Sequence, residues 1–125
     1  MKVDGGLGLT PNIEKIAKEA RSQEERGYDG IWTAETSHDP FLPLTIAAEH
    51  TQNLELGTSI AVAFARNPMV LANIGWDLQA LSNGRFNLGL GSQIKPHITK
   101  RFSMEWSKPA AVSYTHLTLP TIGCV

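Results

Sequence analysis

The sequence predicts an α/β protein built on a parallel sheet. Two observations carry this. Short apolar segments rich in glycine alternate with segments of helical periodicity, and the order strand–helix–strand repeats from residue 2 to residue 91. The connections between them are short, and three of them share one signal, a capping residue followed by proline: Thr10-Pro11, Asp39-Pro40 and Asn67-Pro68.

Lys2 to Leu9 is the first predicted strand. Thr10 as N-cap and Pro11 at the first helical position then open a helix whose buried stripe is Ile13, Ile16, Ala17 and Ala20. Gly27 ends it as the residue past the C-cap, beside Arg26, whose charge suits the helix dipole. Tyr28 to Ala34 forms the second strand and Glu35-Thr36-Ser37-His38 a polar loop. After Asp39-Pro40, a second helix buries Phe41, Leu44, Ala47 and Ala48, and Gln52-Asn53 breaks it. Leu54 to Ala61 reads as the third strand. Asn67-Pro68 opens a third helix with Val70, Leu71, Ile74, Leu78 and Leu81 inward. Ser82-Asn83-Gly84 stops it, and Arg85 to Leu90 is the fourth strand.

Four parallel strands with helical crossovers fit two closures, an open doubly wound sheet or a (β/α)8 barrel. The pattern leaves that choice open. In both, the strand ends Leu9, Ala34, Ala61 and Leu90 share one rim, because parallel strands place every strand-to-helix loop on the same side. That rim gathers Glu35, Thr36, His38, Ser59, Arg66, Asn67, Ser92, Gln93, Lys95 and His97.

Composition narrows the function. The chain has 125 residues, 42% of them hydrophobic, and a net charge of −1, so no basic field points to nucleic acid or an anionic membrane. No run approaches the roughly 18 consecutive apolar residues of a membrane span, and the first residues do not read as a signal peptide. One cysteine, Cys124, provides neither a disulfide framework nor a cysteine metal cluster. A cytoplasmic protein acting on a small molecule is the expectation.

On the rim, Glu35 and His38 form a candidate acid–base pair, since histidine exchanges protons near neutrality. The alternative is that Asp39 and its neighbours cap a helix while Glu35 pairs with Arg66 or is solvated. His50, within a helix beside Glu49, reads as structural. His97 reads equally as a ligand-facing residue or as part of a following helix. Gly89-Leu90-Gly91 would let backbone approach a flat or phosphorylated ligand. The full dinucleotide fingerprint needs glycine or alanine at position 94, where Ile94 stands. Zinc-peptidase, P-loop and nucleophile-elbow motifs do not occur.

Several segments in order carry a resemblance: Gly27 to Glu35, His38 to Phe41, Gly57 to Ile60, Asn67-Pro68, Ser82 to Phe86 and Leu88 to Ser92. Together they resemble the luciferase-like monooxygenase family, most closely its branch of oxidoreductases that use the deazaflavin coenzyme F420. The resemblance spans residues 1–111 and implies the N-terminal part, about four βα units, of a (β/α)8 barrel. It implies hydride transfer with coenzyme F420 or FMN, in some members with use of molecular oxygen, and a homo-oligomeric parent protein. It implies a cis peptide at Ser59–Ile60 under the coenzyme ring. The coenzyme-binding residues it implies are Ser59, Ile60, Arg66, Gly91, Ser92 and Gln93, with His38 and Glu35 as catalytic candidates and no metal. Family sugar-phosphate dehydrogenases carry an aspartate–histidine pair after the second strand and a glutamate after the fourth. Here Glu35-Thr36 stands at the first place, His38 follows two residues later, and Ile94 falls near the second, so those roles do not carry over intact.

Residues 112–125 resemble the translation of an adapter used in sequencing libraries, and are expected to be a non-native tail in which His116 and Cys124 have no role. On that expectation the chain is an inactive, aggregation-prone N-terminal fragment of an enzyme. The reading from another class is a non-catalytic flavin-binding or self-associating half-barrel.

Overall fold

A computed structural model of the chain describes residues 1–8 and 10–106. Leu9, the boundary at residue 111, His116 and Cys124 lie outside the described residues.

Among the described residues six short strands and three α-helices follow in order: β1 (Asp4–Gly6), α1 (Ile13–Glu25), β2 (Gly30–Thr33), α2 (Leu42–His50), β3 (Glu55–Thr58), β4 (Ala61–Val62), α3 (Pro68–Leu81), β5 (Phe86–Asn87) and β6 (Leu90–Gly91). A 3₁₀ turn at Ala63–Ala65 precedes α3, and a π-helical turn spans His97–Arg101. The main sheet runs β1-β2-β3-β5, every pair parallel, and β4 pairs with β6 in a second parallel ladder. The third and fourth predicted strands are therefore each split in two.

Strand order decides the closure that pattern left open. A doubly wound sheet reverses direction about its first strands and carries helices on both faces. Here each new strand adds beside the previous one, and α2 packs against both α1 and α3 on one side of the sheet. That is an arc of a (β/α)8 barrel.

The register explains the core. Ile31, Leu56 and Phe86 stand in one row across β2, β3 and β5 and meet Ile16, Ala20, Leu44, Ala47, Leu71 and Leu78 from the helices. The next row, Trp32, Gly57 and Asn87, faces the other way, as period-2 alternation requires. The stripe expected on α2 is buried throughout: Phe41, Leu44, Ala47 and Ala48. On α3, Leu71 and Leu78 are buried, but Val70 and Leu81 are exposed. Each helical residue turns about 100°, so these two sit roughly a quarter-turn from the Leu71–Leu78 line. Ile13 is also exposed, because it is the first helical residue, at the helix end.

The three cap-then-proline signals resolve differently. Asn67 caps α3 as expected, its side chain accepting from Met69 N, with Pro68 first in the helix. Asp39 does cap, its Oδ2 accepting from Phe41 N and Leu42 N at 2.8 Å each, but the helix opens at Leu42, two residues later than Pro40. Thr10 is not the cap of α1. Asn12, a stronger cap, accepts from Lys15 N at 3.0 Å, and Thr10-Pro11 stays in the approach turn. Gly27 and Gly84 adopt φ of 87° and 85° just past α1 and α3, the left-handed region open to glycine.

Two polar devices lock the face opposite the predicted rim. Arg85 donates to the carbonyls of Ala48, Thr51, Leu54 and Ser82 and to Thr51 Oγ1, closing the C-terminal ends of α2 and α3. Glu24 accepts from the amides of Gln52, Asn53 and Leu54. Burial alone would raise the Glu24 carboxyl, but these three amides, with the charge of Arg85, outweigh it and hold its pKa below the ordinary value. A lowered carboxyl contributes stability above its unfolded pKa and loses it as pH falls through the folded pKa. The wild-type chain should therefore lose stability as pH drops below about 4.3, and Glu24→Gln should flatten that part of the urea-midpoint-against-pH curve. His50, at the end of α2, accepts from Arg21 Nη1 at 3.0 Å, a tie between helices in keeping with its structural reading.

Candidate functional site

The strand-to-helix loops meet on one rim, as parallel strands require. At its centre the third predicted strand is interrupted: Ser59–Ile60 is a cis peptide between β3 and β4, at the bond the resemblance implies. Neighbouring strands hold both sides of the break. Ser59 N donates to Thr33 O at 2.6 Å, Glu35 N to Ile60 O at 3.2 Å, and Ala61 N to Gly89 O at 2.8 Å. Ser59 is exposed at the rim and Ile60 half-buried. Beyond the break, Ala61 and Val62 pair with Leu90 and Gly91, bringing Gly91 beside Ile60. Ser92 and Gln93 continue from it half-buried, with Gln93 at φ 59°.

Beneath this surface lies an ion pair. Glu35 is buried, and its carboxylate takes both guanidinium arms of Arg66, Oε1 from Nη1 at 2.7 Å and Oε2 from Nη2. Oε1 also accepts from Val62 N at 2.7 Å. Arg66 donates further to Val62 O at 3.2 Å and to Asp39 Oδ1 at 3.4 Å, and stands 5.0 Å from the Phe41 ring. Burial pulls the Arg66 pKa down, but hydrogen bonding and charge from Glu35 and Asp39 more than offset this and raise it. The pair thus links the loop after β2, strand β4 and the N-terminal approach to α2.

The candidate acid–base residues Glu35 and His38 line one polar cleft, where Glu35 is held in an ion pair. Glu35 turns inward to Arg66, the alternative pairing weighed above, with both of its oxygens engaged. His38 sits three residues on in the same loop, exposed, lining both a polar cleft with Thr36 and Ser37 and an apolar groove with Ile13, Leu42 and Ile46. Asn67 is spent as a helix cap. Lys95 is exposed, and His97 opens the π-helical turn and is exposed as well.

Sequence reasoning missed the residues that finish this rim. Phe102 and Trp106 pack with Ile60, Val62, Phe64 and Ile98 in a second apolar cluster, Trp106 stacking on Phe64 at 5.0 Å between ring centroids. Thr58 Oγ1 donates to Gly89 O at 2.8 Å and accepts from Gly89 N at 3.0 Å, fixing the approach of β5 and β6. The aromatic spacing of Phe64, Phe102 and Trp106 carries no period that would have announced the cluster. Among the described residues no group of three or more His, Cys, Asp or Glu side chains is placed to hold a metal, and no helix is long and apolar enough to cross a membrane.

The chain is similar to known proteins in sequence and in fold. An uncharacterised protein of Mycobacterium tuberculosis (strain ATCC 25618 / H37Rv) is 63% identical over 111 residues, covering 88% of this chain and 32% of that protein. The coenzyme F420-dependent tetrahydromethanopterin reductase of Methanopyrus kandleri superposes with a TM-score of 0.79 at 22% identity, over 96% of this chain and 40% of that one. The oxygenating constituent of 3,6-diketocamphane monooxygenase from Pseudomonas putida, in complex with FMN, superposes with a TM-score of 0.80 at 18% identity, over 98% and 40%. The chain thus spans about a third of the length of the relative it matches so closely. The profile of the luciferase-like monooxygenases covers residues 1–113, and the chain belongs to that family.

Proposed function

We propose that this chain supplies the first coenzyme-facing rim of an oxidoreductase that transfers a hydride with a deazaflavin, coenzyme F420, FMN being the alternative. The observation that carries the reading is the convergence at the β3–β4 break. Exposed Ser59, half-buried Ile60 and the bare α-carbon of Gly91 form one low surface, braced below by the Glu35–Arg66 pair. A flat ring system fits such a surface, where a larger side chain at position 91 would collide with Ile60; a Cβ there would lie 2.6 Å from Ile60 Cδ1. Ser59, Ile60, Gly91, Ser92 and Gln93 would hold the group, and Arg66 would act from below through Glu35. When bound, it supplies the two-electron carrier for hydride transfer.

His38 is the titratable residue on this loop outside the ion pair, exposed and lining the cleft, and the role we assign it is contact with the coenzyme or the hydride acceptor. In the whole enzyme, His38→Ala is expected to lower turnover by about 10²- to 10⁴-fold while leaving the thermal midpoint nearly unchanged. Equal loss of activity and stability would show a structural histidine instead. The activity, the small-molecule substrate and the homo-oligomeric state belong to the whole protein, and the 125-residue chain assayed alone is expected to be inactive. Titration of the full-length protein with coenzyme F420 and with FMN separates the two coenzymes. Tighter saturable binding of F420 supports the reading, tighter FMN binding reverses the choice, and binding of neither removes it.

A further inference from the structure

We propose that the cleft between the loop after β2 and the turn His97–Arg101 is a carboxylate-binding subsite, with Arg101 as its anchoring cation. Its role as the seat of the second substrate rests on the function proposed above; its binding chemistry does not. The cleft has a volume of about 330 Å³ and is walled by Thr36, Ser37 and His38 on one side and Arg101 and Phe102 on the other.

The charge arrangement selects the ligand. Two carboxylates, Glu35 and Asp39, also line this cleft; Arg66 balances the charge of one of them, and both turn their oxygens to donors other than Arg101. Glu35 is committed to Arg66 and Val62 N, and Asp39 divides between Arg66 and the amides of Phe41 and Leu42. Among the described residues Arg101 has no carboxylate partner. Its guanidinium lies 5.1 Å from the Phe102 ring, a contact that steadies its plane, and its N–H fork has no hydrogen-bond acceptor among the described residues. A planar fork matches a carboxylate in bidentate fashion, and the hydroxyls of Thr36 and Ser37 add donors on the facing wall. Phe102 gives the cleft an apolar flank suited to an aryl or alkyl group. Phe102 also belongs to the cluster that contains Ile60, so the cleft adjoins the surface proposed for the coenzyme.

The test is titration of the full-length protein, freed of coenzyme, at low salt with benzoate and with inorganic phosphate as comparator, followed by calorimetry and by NMR of the His38 ring. Saturable benzoate binding that shifts the His38 signals is expected. Arg101→Gln should weaken it roughly tenfold to a hundredfold, Arg101→Lys should restore part of it, and Lys95→Gln should leave it unchanged. Arg101 is exposed, and circular dichroism of each variant checks that folding is retained. Absence of saturable binding, binding unchanged in Arg101→Gln, equal weakening by Lys95→Gln, or phosphate bound as tightly as benzoate would each overturn the assignment. Because coenzyme is absent, failure of coenzyme binding in a separate titration leaves this result untouched.

Discussion

Arg66→Ala is expected to lower unfolding free energy by about 3–5 kcal/mol, because it strands the Glu35 carboxylate in a buried site without its partner. The side chains of Glu35 and Arg66 are only 5% and 13% exposed, so solvent does little to compensate. Val62 N would remain as one donor to Glu35, and the Phe41 ring would lose the cation beside it. The urea midpoint measures the effect. The double variant Glu35→Gln/Arg66→Met is the informative companion, since it removes both charges together. It should cost clearly less than Arg66→Ala, because a buried pair replaced by neutral groups of similar size leaves no orphaned charge. A double variant as unstable as the single one would mean that the pair works through shape, with charge playing little part.

Gly89→Ala is the second large effect, and it acts through the backbone. A Cβ at position 89 would lie 2.0 Å from the carbonyl oxygen of Thr58, far inside contact distance, and a main-chain atom cannot swing aside as a side chain would. The strands must part, breaking the reciprocal bonds between Thr58 Oγ1 and Gly89 and the Ala61 N to Gly89 O bond that holds the β4 side of the break. A loss of about 2–4 kcal/mol is expected, at the upper end of overpacking costs because bonds are lost as well. Coenzyme binding by the whole protein should fall with it. Gly6→Ala is the control: a Cβ there meets nothing within 4 Å, so stability should change by no more than about 0.5 kcal/mol. The comparison separates close approach at one site from a general intolerance of side chains in the sheet.

Much of the arc was legible in residue order because its determinants are local. Leu44, Ala47 and Ala48 recur at helical spacing and are buried together. Asn67-Pro68 begins a helix because the amide side chain satisfies a free N–H and proline needs none. The two misplaced helix starts show the limit of that reasoning. Thr10-Pro11 and Asp39-Pro40 carry the same local signal, yet Asn12 outcompetes Thr10, and Asp39 serves the amides of Phe41 and Leu42 so that the helix opens later. A cap signal marks the neighbourhood of a helix start, and competing side chains choose the residue.

The candidate site was less legible, for a different reason. Glu35 and His38 lie three apart in a loop, and nothing in that spacing says which faces inward. The choice is made by Arg66, 31 positions away, which reaches Glu35 only because β2 and β3 are neighbours in the sheet. Sequence by itself determined the alternation of strands and helices, the polar loop at one end and, through an ordered set of motifs, the family. Only the tertiary structure decided the pairing of Glu35 with Arg66 and the joining of Arg101 and Phe102 to the rim, while the barrel closure, open to pattern, was already implied by the family resemblance. Periodicity and capping act across a few residues and so are written along the chain. Strand order and buried charge pairing act between segments far apart in it, and exist only once the sheet has formed.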